Sequence, residues 1–213
     1  MILLKDNIIS TKNSDTREYL VLNKSGEINI TLEDASCLNI VVIATESSTL
    51  SINIELKDPG CECNLSGLYI GKNDDTIDIK VNMCHSSARC RSKQLFKGVM
   101  FDRSHASFFG LIKVPQDSQQ TEAYQENHNL LMSDDASVYS LPQLEIYADD
   151  VKCTHGATTG RLNEDELFYL RSRGLSLDIA KRLQILAFAN EVLTKINDDT
   201  LLEETTKLLS TLL

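Results

Sequence analysis

The sequence predicts a mainly β fold that ends in a short helical region, and three observations predict it. Through most of the chain, apolar and polar residues alternate at period two. Turn-forming clusters interrupt the alternation so that strand centres recur about every dozen residues. From Asn163 onward the period changes to 3.6. Evenly spaced strands suit a sandwich, a barrel or a β-solenoid, and periodicity alone does not choose among the three.

The strands read in order. Ile28, Ile30 and Leu32 alternate with Glu27, Asn29 and Thr31. Leu38, Ile40 and Val42 follow, then Leu50, Ile52, Ile54 and Leu56, then Cys61, Cys63 and Leu65, and then Ile77, Ile79, Val81 and Met83. The turn signals between them are Asn23-Lys24-Ser25-Gly26, Asp58-Pro59-Gly60 and Gly71-Lys72-Asn73-Asp74-Asp75. Phe108, Phe109, Leu111, Ile112 and Val114 make an apolar strand that Pro115 ends. Residues 116–129 are polar, and Leu130-Leu131-Met132 returns to the core. Leu144, Ile146 and Ala148 alternate with Gln143, Glu145 and Tyr147, and Asp149-Asp150 supplies a turn. Val151, Cys153 and His155 then share one face, with Lys152 and Thr154 on the other.

Helices account for the rest. Asn163-x-x-Glu166 has the form of a capping box, with Asn163 accepting from the chain and Glu166 reaching back. Leu167, Phe168 and Leu170 are apolar, Arg171 and Arg173 fall in the last turn, and Gly174 stops the helix. Ser176 caps a second helix whose stripe is Ile179, Leu183, Leu186, Val192, Leu193 and Ile196. A third, over residues 199–213, repeats Leu201, Leu202, Leu208, Leu209 and Leu212. Such short helices must pack on one another and on the β core.

Composition narrows the function. At 213 residues the chain is long enough for one substantial core with a small appendage. Its net charge of −10 disfavours nucleic acid and anionic membrane as partners, since both call for a basic face. No apolar run approaches the ~18 residues of a spanning helix, and the expected location is cytoplasmic. There the six cysteines should stay reduced. Cys61 and Cys63 are expected in the core. Cys84, His85 and Cys90 lie near a turn without a CxxC-type spacing, and His105 and His128 read as surface hydrogen-bonding groups. The sequence has no GxxxxGK[ST], GxSxG or HExxH motif, so no catalytic centre is predicted.

The pair that looks placed for use is Cys153 and His155. Two residues apart on a strand, their Cα atoms are roughly 7 Å apart on one side. Thiolate and imidazole suit zinc and iron–sulfur clusters, but two ligands close neither kind of site. The pair is half a site and asks for a partner surface.

The runs DVKCTHGATTGRL and ELFYLRSRG, together with LFKGVMFD, GLIKV, TEAYQENHNLLMSDDA and PQLEIYADD upstream, resemble the SufB/SufD family of iron–sulfur cluster assembly proteins, its SufD branch in particular. The resemblance implies a right-handed parallel β-helix (β-solenoid) core over residues 1–160 and a C-terminal helical region over residues 161–213 that docks an ABC-type ATPase. It implies a non-enzymatic subunit of a SufBCD-like complex, pairing with a SufB-like subunit, or with a second copy as a homodimer, and with the SufC-like ATPase. Glu166, Phe168, Tyr169, Arg171, Arg173 and Gly174 fall in the ATPase-docking stretch. His155 matches the histidine, and Cys153 the neighbouring thiol, implicated at the interface where a transient cluster is built; no cofactor is expected to stay bound to the isolated chain. SufB-like relatives carry a cysteine in the segment matching Asp134-Asp135-Ala136-Ser137 and a glutamate at Gly156, and their absence here favours the SufD role. Family members are longer, with a helical N-terminal region, so a compact form lacking it is implied. Two other readings compete: a small β-barrel metalloenzyme using His105, His128 and His155, and a structural adaptor that holds the ATPase without touching a cluster.

Overall fold

A computed structural model describes residues 1–212. Its strands are β1 (Ile2–Leu3), β2 (Ile8–Thr11), β3 (Thr16–Leu22), β4 (Gly26–Leu32), β5 (Cys37–Ala44), β6 (Ser48–Leu56), β7 (Glu62–Gly71), β8 (Thr76–His85), β9 (Arg91–Met100), β10 (His105–Val114), β11 (Glu122–Leu131), β12 (Ser137–Ile146) and β13 (Lys152–Gly160). Three helices follow: α1 (Glu164–Ser172), α2 (Leu177–Leu193) and α3 (Asp199–Leu212).

Alternate strands go to alternate sheets. One sheet has the order β1-β3-β5-β7-β9-β11-β13 and the other β12-β10-β8-β6-β4-β2. Neighbours within each sheet run parallel and in register, as in Leu38↔Cys63 and Cys63↔Ser92. The chain therefore coils, laying one strand on each sheet per turn and rising about 4.8 Å per coil. This is a β-solenoid, which decides among the three architectures left open by periodicity.

The two sheets bury different amounts of surface, and their sequences differ to match. β6 reads STLSINIEL, with Leu50, Ile52, Ile54 and Leu56 inside and polar residues out. That is the alternation of a sheet with one solvated face. In β5, Ile40-Val41-Val42-Ile43 is apolar throughout because both faces are covered. Ile40 and Val42 enter the solenoid lumen, while Val41 and Ile43 join Leu20, Leu68, Ile70 and Val99 beneath the helices. The helices contribute Ile185, Ala189, Val192, Leu193 and Leu209 to that outer cluster. Burying each large aliphatic side chain contributes about 1.5–3 kcal/mol, so the helical region is held mainly by this contact.

Turns stack as well as strands. Asn73 and Asp102 both take positive φ, 51° each, a conformation these residues tolerate. The Asn73 amide donates to Asp102 Oδ2 at 2.9 Å, and Arg103 pairs with Asp74 at 2.7 Å, tying one coil's turn to the next.

Several expectations need correction. Residues 122–131 form β11, not a polar connection, and Ala123, Gln125, Asn127 and Asn129 point into the lumen. β9, a full strand with Ser92 and Gln94 inside, shows no apolar alternation at its start for the sequence reading to find. The α2 stripe splits: Val192, Leu193 and Ile196 are buried, but Ile179 and Leu183 are 50% and 43% exposed. Asn163 caps α1 by accepting from the Asp165 and Glu166 amides at 2.9 and 3.2 Å; the hydrogen bonds at that end come from Asn163 and not from Glu166 reaching back. Among the described residues, no helix is long and apolar enough to cross a membrane.

Candidate functional site

The lumen changes character along the stack. One inward column runs Ile40, Leu65, Gln94, Gln125, His155, each residue the in-register partner of the next. The neighbouring column runs Leu38, Cys63, Ser92, Ala123, Cys153. Beside these, Tyr69 donates to Asn129 Oδ1, Asn127 donates to the Tyr69 hydroxyl at 3.0 Å, and Ser140 donates to Asn127 Oδ1 at 2.7 Å. The early coils are aliphatic inside and the late ones increasingly polar.

Among the described residues the stack ends at β12 and β13, and neither strand has a partner on its outer side. The inward residues of the last coil are only half covered: Val138, Ser140, Pro142, Leu144 and Ile146 on β12, and Cys153 on β13. His155 occupies the same inward row but is exposed, because no further coil lies above it. Cys153 packs against the lumen cluster, and burial pushes its thiol pKa up, with a backbone hydrogen bond at Ala123 opposing in part. Burial therefore biases this thiol toward its protonated form. Period two placed these groups side by side, as expected; what the pattern lacked was that the imidazole is open and the thiol half sheltered.

The other candidate ligands disperse. His105 lies on the outer face of β10, bonded to Ser137 Oγ at 2.7 Å. His128 lies on the outer face of β11, bonded to Thr158 Oγ1 at 2.8 Å and Glu126 at 3.1 Å. Neither shares a face with His155, so the three-histidine metalloenzyme is overturned, as is its barrel. Cys61, Cys63, His85 and Cys90 are fully buried; the His85 Nε2 meets Ser92 Oγ at 2.9 Å. Among the described residues, no group of three or more Cys, His, Asp or Glu side chains could hold a metal ion, which removes the Cys84, His85 and Cys90 turn as a metal site.

The second surface is on the helices. Glu166, Phe168, Tyr169, Arg171, Arg173 and Gly174 are all exposed, Phe168 by 75%, and the Arg173 guanidinium lies 5.1 Å from the Tyr169 ring centroid. Only Leu167 of α1 is buried. Gly174, at φ 92°, turns the chain into α2. Leu177, Ile179 and Leu183 extend the exposed apolar face onto α2. Their spacing alone could not separate this face from the buried one, because α2 is apolar on both sides.

The architecture is that of a parallel β-solenoid protein with a helical appendage. The chain belongs to the SufBD family: residues 8–188 match the SufBD core domain of the SUF system of FeS cluster assembly. It is similar to the iron–sulfur cluster assembly protein SufD of Escherichia coli (strain K12), 40% identical over 159 residues, covering 75% of this chain and 34% of that protein. A SufBD family protein of Synechocystis is 48% identical over 132 residues, covering 62% of this chain and 28% of the relative. The chloroplastic protein ABCI7 of Arabidopsis thaliana is 36% identical over 146 residues, covering 68% and 31%. The chain spans about a third of the length of these curated relatives.

Proposed function

We propose that this chain is a non-catalytic cytoplasmic subunit of a SufBCD-like complex, which lends His155, and secondarily Cys153, to a nascent cluster at the seam with a partner. The cluster is cargo, completed by ligands of a SufB-like subunit or of a second copy. The observation carrying this reading is the exposed imidazole in the inward row of the last coil, beside a half-buried thiol and between two unpaired strand edges. Long unpaired edges favour strand addition by another chain, which would bring foreign ligands to within one coil of His155. Glu166, Phe168, Tyr169, Arg171, Arg173 and Gly174, extended by Ile179 and Leu183, form the docking face for a SufC-like ATPase. ATP binding would draw two docked ATPase subunits together, move the helices they hold, and open the seam to iron and sulfide.

The test is co-expression of His155→Ala with a SufB-like subunit and a SufC-like ATPase. The complex should purify intact while cluster formation, followed by visible absorption, falls at least tenfold, in the range for loss of a metal-site group. Cys153→Ser should cost less. Wild-type cluster formation by His155→Ala would reject the ligand role and leave a structural adaptor.

A further inference from the structure

The Gln94–Gln125 pair is out of keeping with the coils before it. The same column holds Ile40 and Leu65, both buried, and an aliphatic residue would continue it without polar cost. Instead Gln125, fully buried, donates through Nε2 to Gln94 Oε1 at 2.9 Å. Its own Oε1 has no partner, and neither has the Nε2 of Gln94. A buried acceptor left open calls for an explanation, because such groups are nearly always paired.

The surroundings show what could pair with it. Across the lumen Gly110 leaves the space that the Gln125 amide fills; a Cβ there would stand 2.3 Å from Nε2 and 2.7 Å from Oε1. One coil further, Gly110 is partnered by Pro142, whose side chain carries no hydrogen-bond donor. Gln125 itself is partnered by His155, whose ring carries an N–H in every protonation state. The opposite sheet is thus hollowed for the amide and mute above it, and the imidazole is the donor one coil away.

We infer that Gln125 is a positioning residue for His155: its carbonyl oxygen accepts one ring N–H, fixing the tautomer and presenting the other nitrogen's lone pair at the open end. A hydrogen bond to the far nitrogen is the usual way a protein orients a ligating histidine. This rests on the reading of His155 as a cluster ligand.

The experiment has two parts. In the free chain, long-range ¹H–¹⁵N correlation of the histidine rings, with His155→Ala to assign the signal, reads the His155 tautomer directly. Wild type should be biased to one tautomer, and Gln125→Met, similar in shape but without the acceptor, should return it to the mixture of free imidazole. In the reconstituted complex, Gln125→Met should slow cluster formation roughly tenfold or more, and Gln125→Glu, which keeps an acceptor, should restore part of the rate. An unbiased wild-type ring overturns the inference without any variant, and so does a bias that survives Gln125→Met. A Gln125-dependent bias combined with wild-type cluster formation by His155→Ala sinks the ligand reading instead, and the positioning role with it.

Discussion

The Lys97 ammonium lies 4.4 Å from the centroid of the Phe188 ring and donates to the Phe188 carbonyl at 3.1 Å. Lys97 stands on the outer face of β9 and is almost wholly buried by α2, where it also pairs with Glu191. It is a buried polar anchor between solenoid and helices, and at the rim Asn197 adds a second tie by donating to Glu18 Oε1 at 2.6 Å.

Lys97→Met should therefore loosen that contact. The substitution keeps most of the stem but loses the ring contact, the hydrogen bond and the ion pair. About 1–3 kcal/mol of stability should disappear, read as a lower urea midpoint. Glu191→Gln should cost under about 1 kcal/mol, because that carboxylate is more than half exposed and screened by solvent. Equal losses from both variants would mean that the ion pair alone matters.

Lumen packing gives a sharper prediction. A Cβ at Gly67 would stand 2.2 Å from Phe96 Cδ1, and the Phe96 ring is itself wedged against Phe108 with centroids 4.8 Å apart. Fully buried aromatic rings cannot step aside, so Gly67→Ala should cost about 3 kcal/mol or more. Adding Phe96→Leu should recover part of the loss. Gly156→Ala meets nothing within 4 Å and should stay within about 0.5 kcal/mol of wild type. Thermal melts of the three variants check the order.

These same positions show what could be read from the chain beforehand. β4, β6 and β8 were legible because Ile28, Ile52 and Ile79 are aliphatic inside and their neighbours polar outside. β11 was not, because its inward residues are Gln125, Asn127 and Asn129, and a pattern keyed to hydrophobicity cannot see a polar lumen. The Cys153–His155 adjacency followed from period two. His155 is exposed because β13 is the last strand of its sheet, a fact about stacking that no local pattern carries.

Acid should destabilise the fold through His85. Burial lowers its pKa to about 4 from an ordinary 6.5. The folded state therefore keeps the ring neutral where the unfolded chain would take a proton. Stability from this group is intact above pH 6.5, falls as the pH drops from 6.5 to about 4, and changes no further below; the total is about 3 kcal/mol. The double variant His85→Leu/Ser92→Ala removes both members of the buried hydrogen bond, so neither is orphaned. Its denaturation midpoint should lose most of the slope between pH 6.5 and 4. A slope unchanged from wild type would assign the acid sensitivity to carboxylates such as Glu33, whose pKa of about 2, lowered by Lys12 and Lys57, places its effect at lower pH.

The two faces of α2 should separate stability from partner capture. Ile185 is buried against the solenoid, whereas Ile179 and Leu183, like Phe168 and Tyr169 of α1, face solvent. Ile185→Ser should cost several kcal/mol, since it both opens a cavity and buries a hydroxyl. Phe168→Ser and Ile179→Ser should leave the melting temperature almost unchanged, because groups already in water lose nothing on folding. Exposed aromatic and aliphatic side chains beside arginine have the composition of an interface centre, where a few residues carry most of the affinity. Each of the two exposed variants should therefore weaken capture of a purified SufC-like ATPase by tenfold or more, measured by calorimetry at fixed salt. Undiminished binding by both would move the docking face elsewhere on the molecule, and Arg171 and Arg173, beside the turn at Gly174, would have to be tested next by charge reversal.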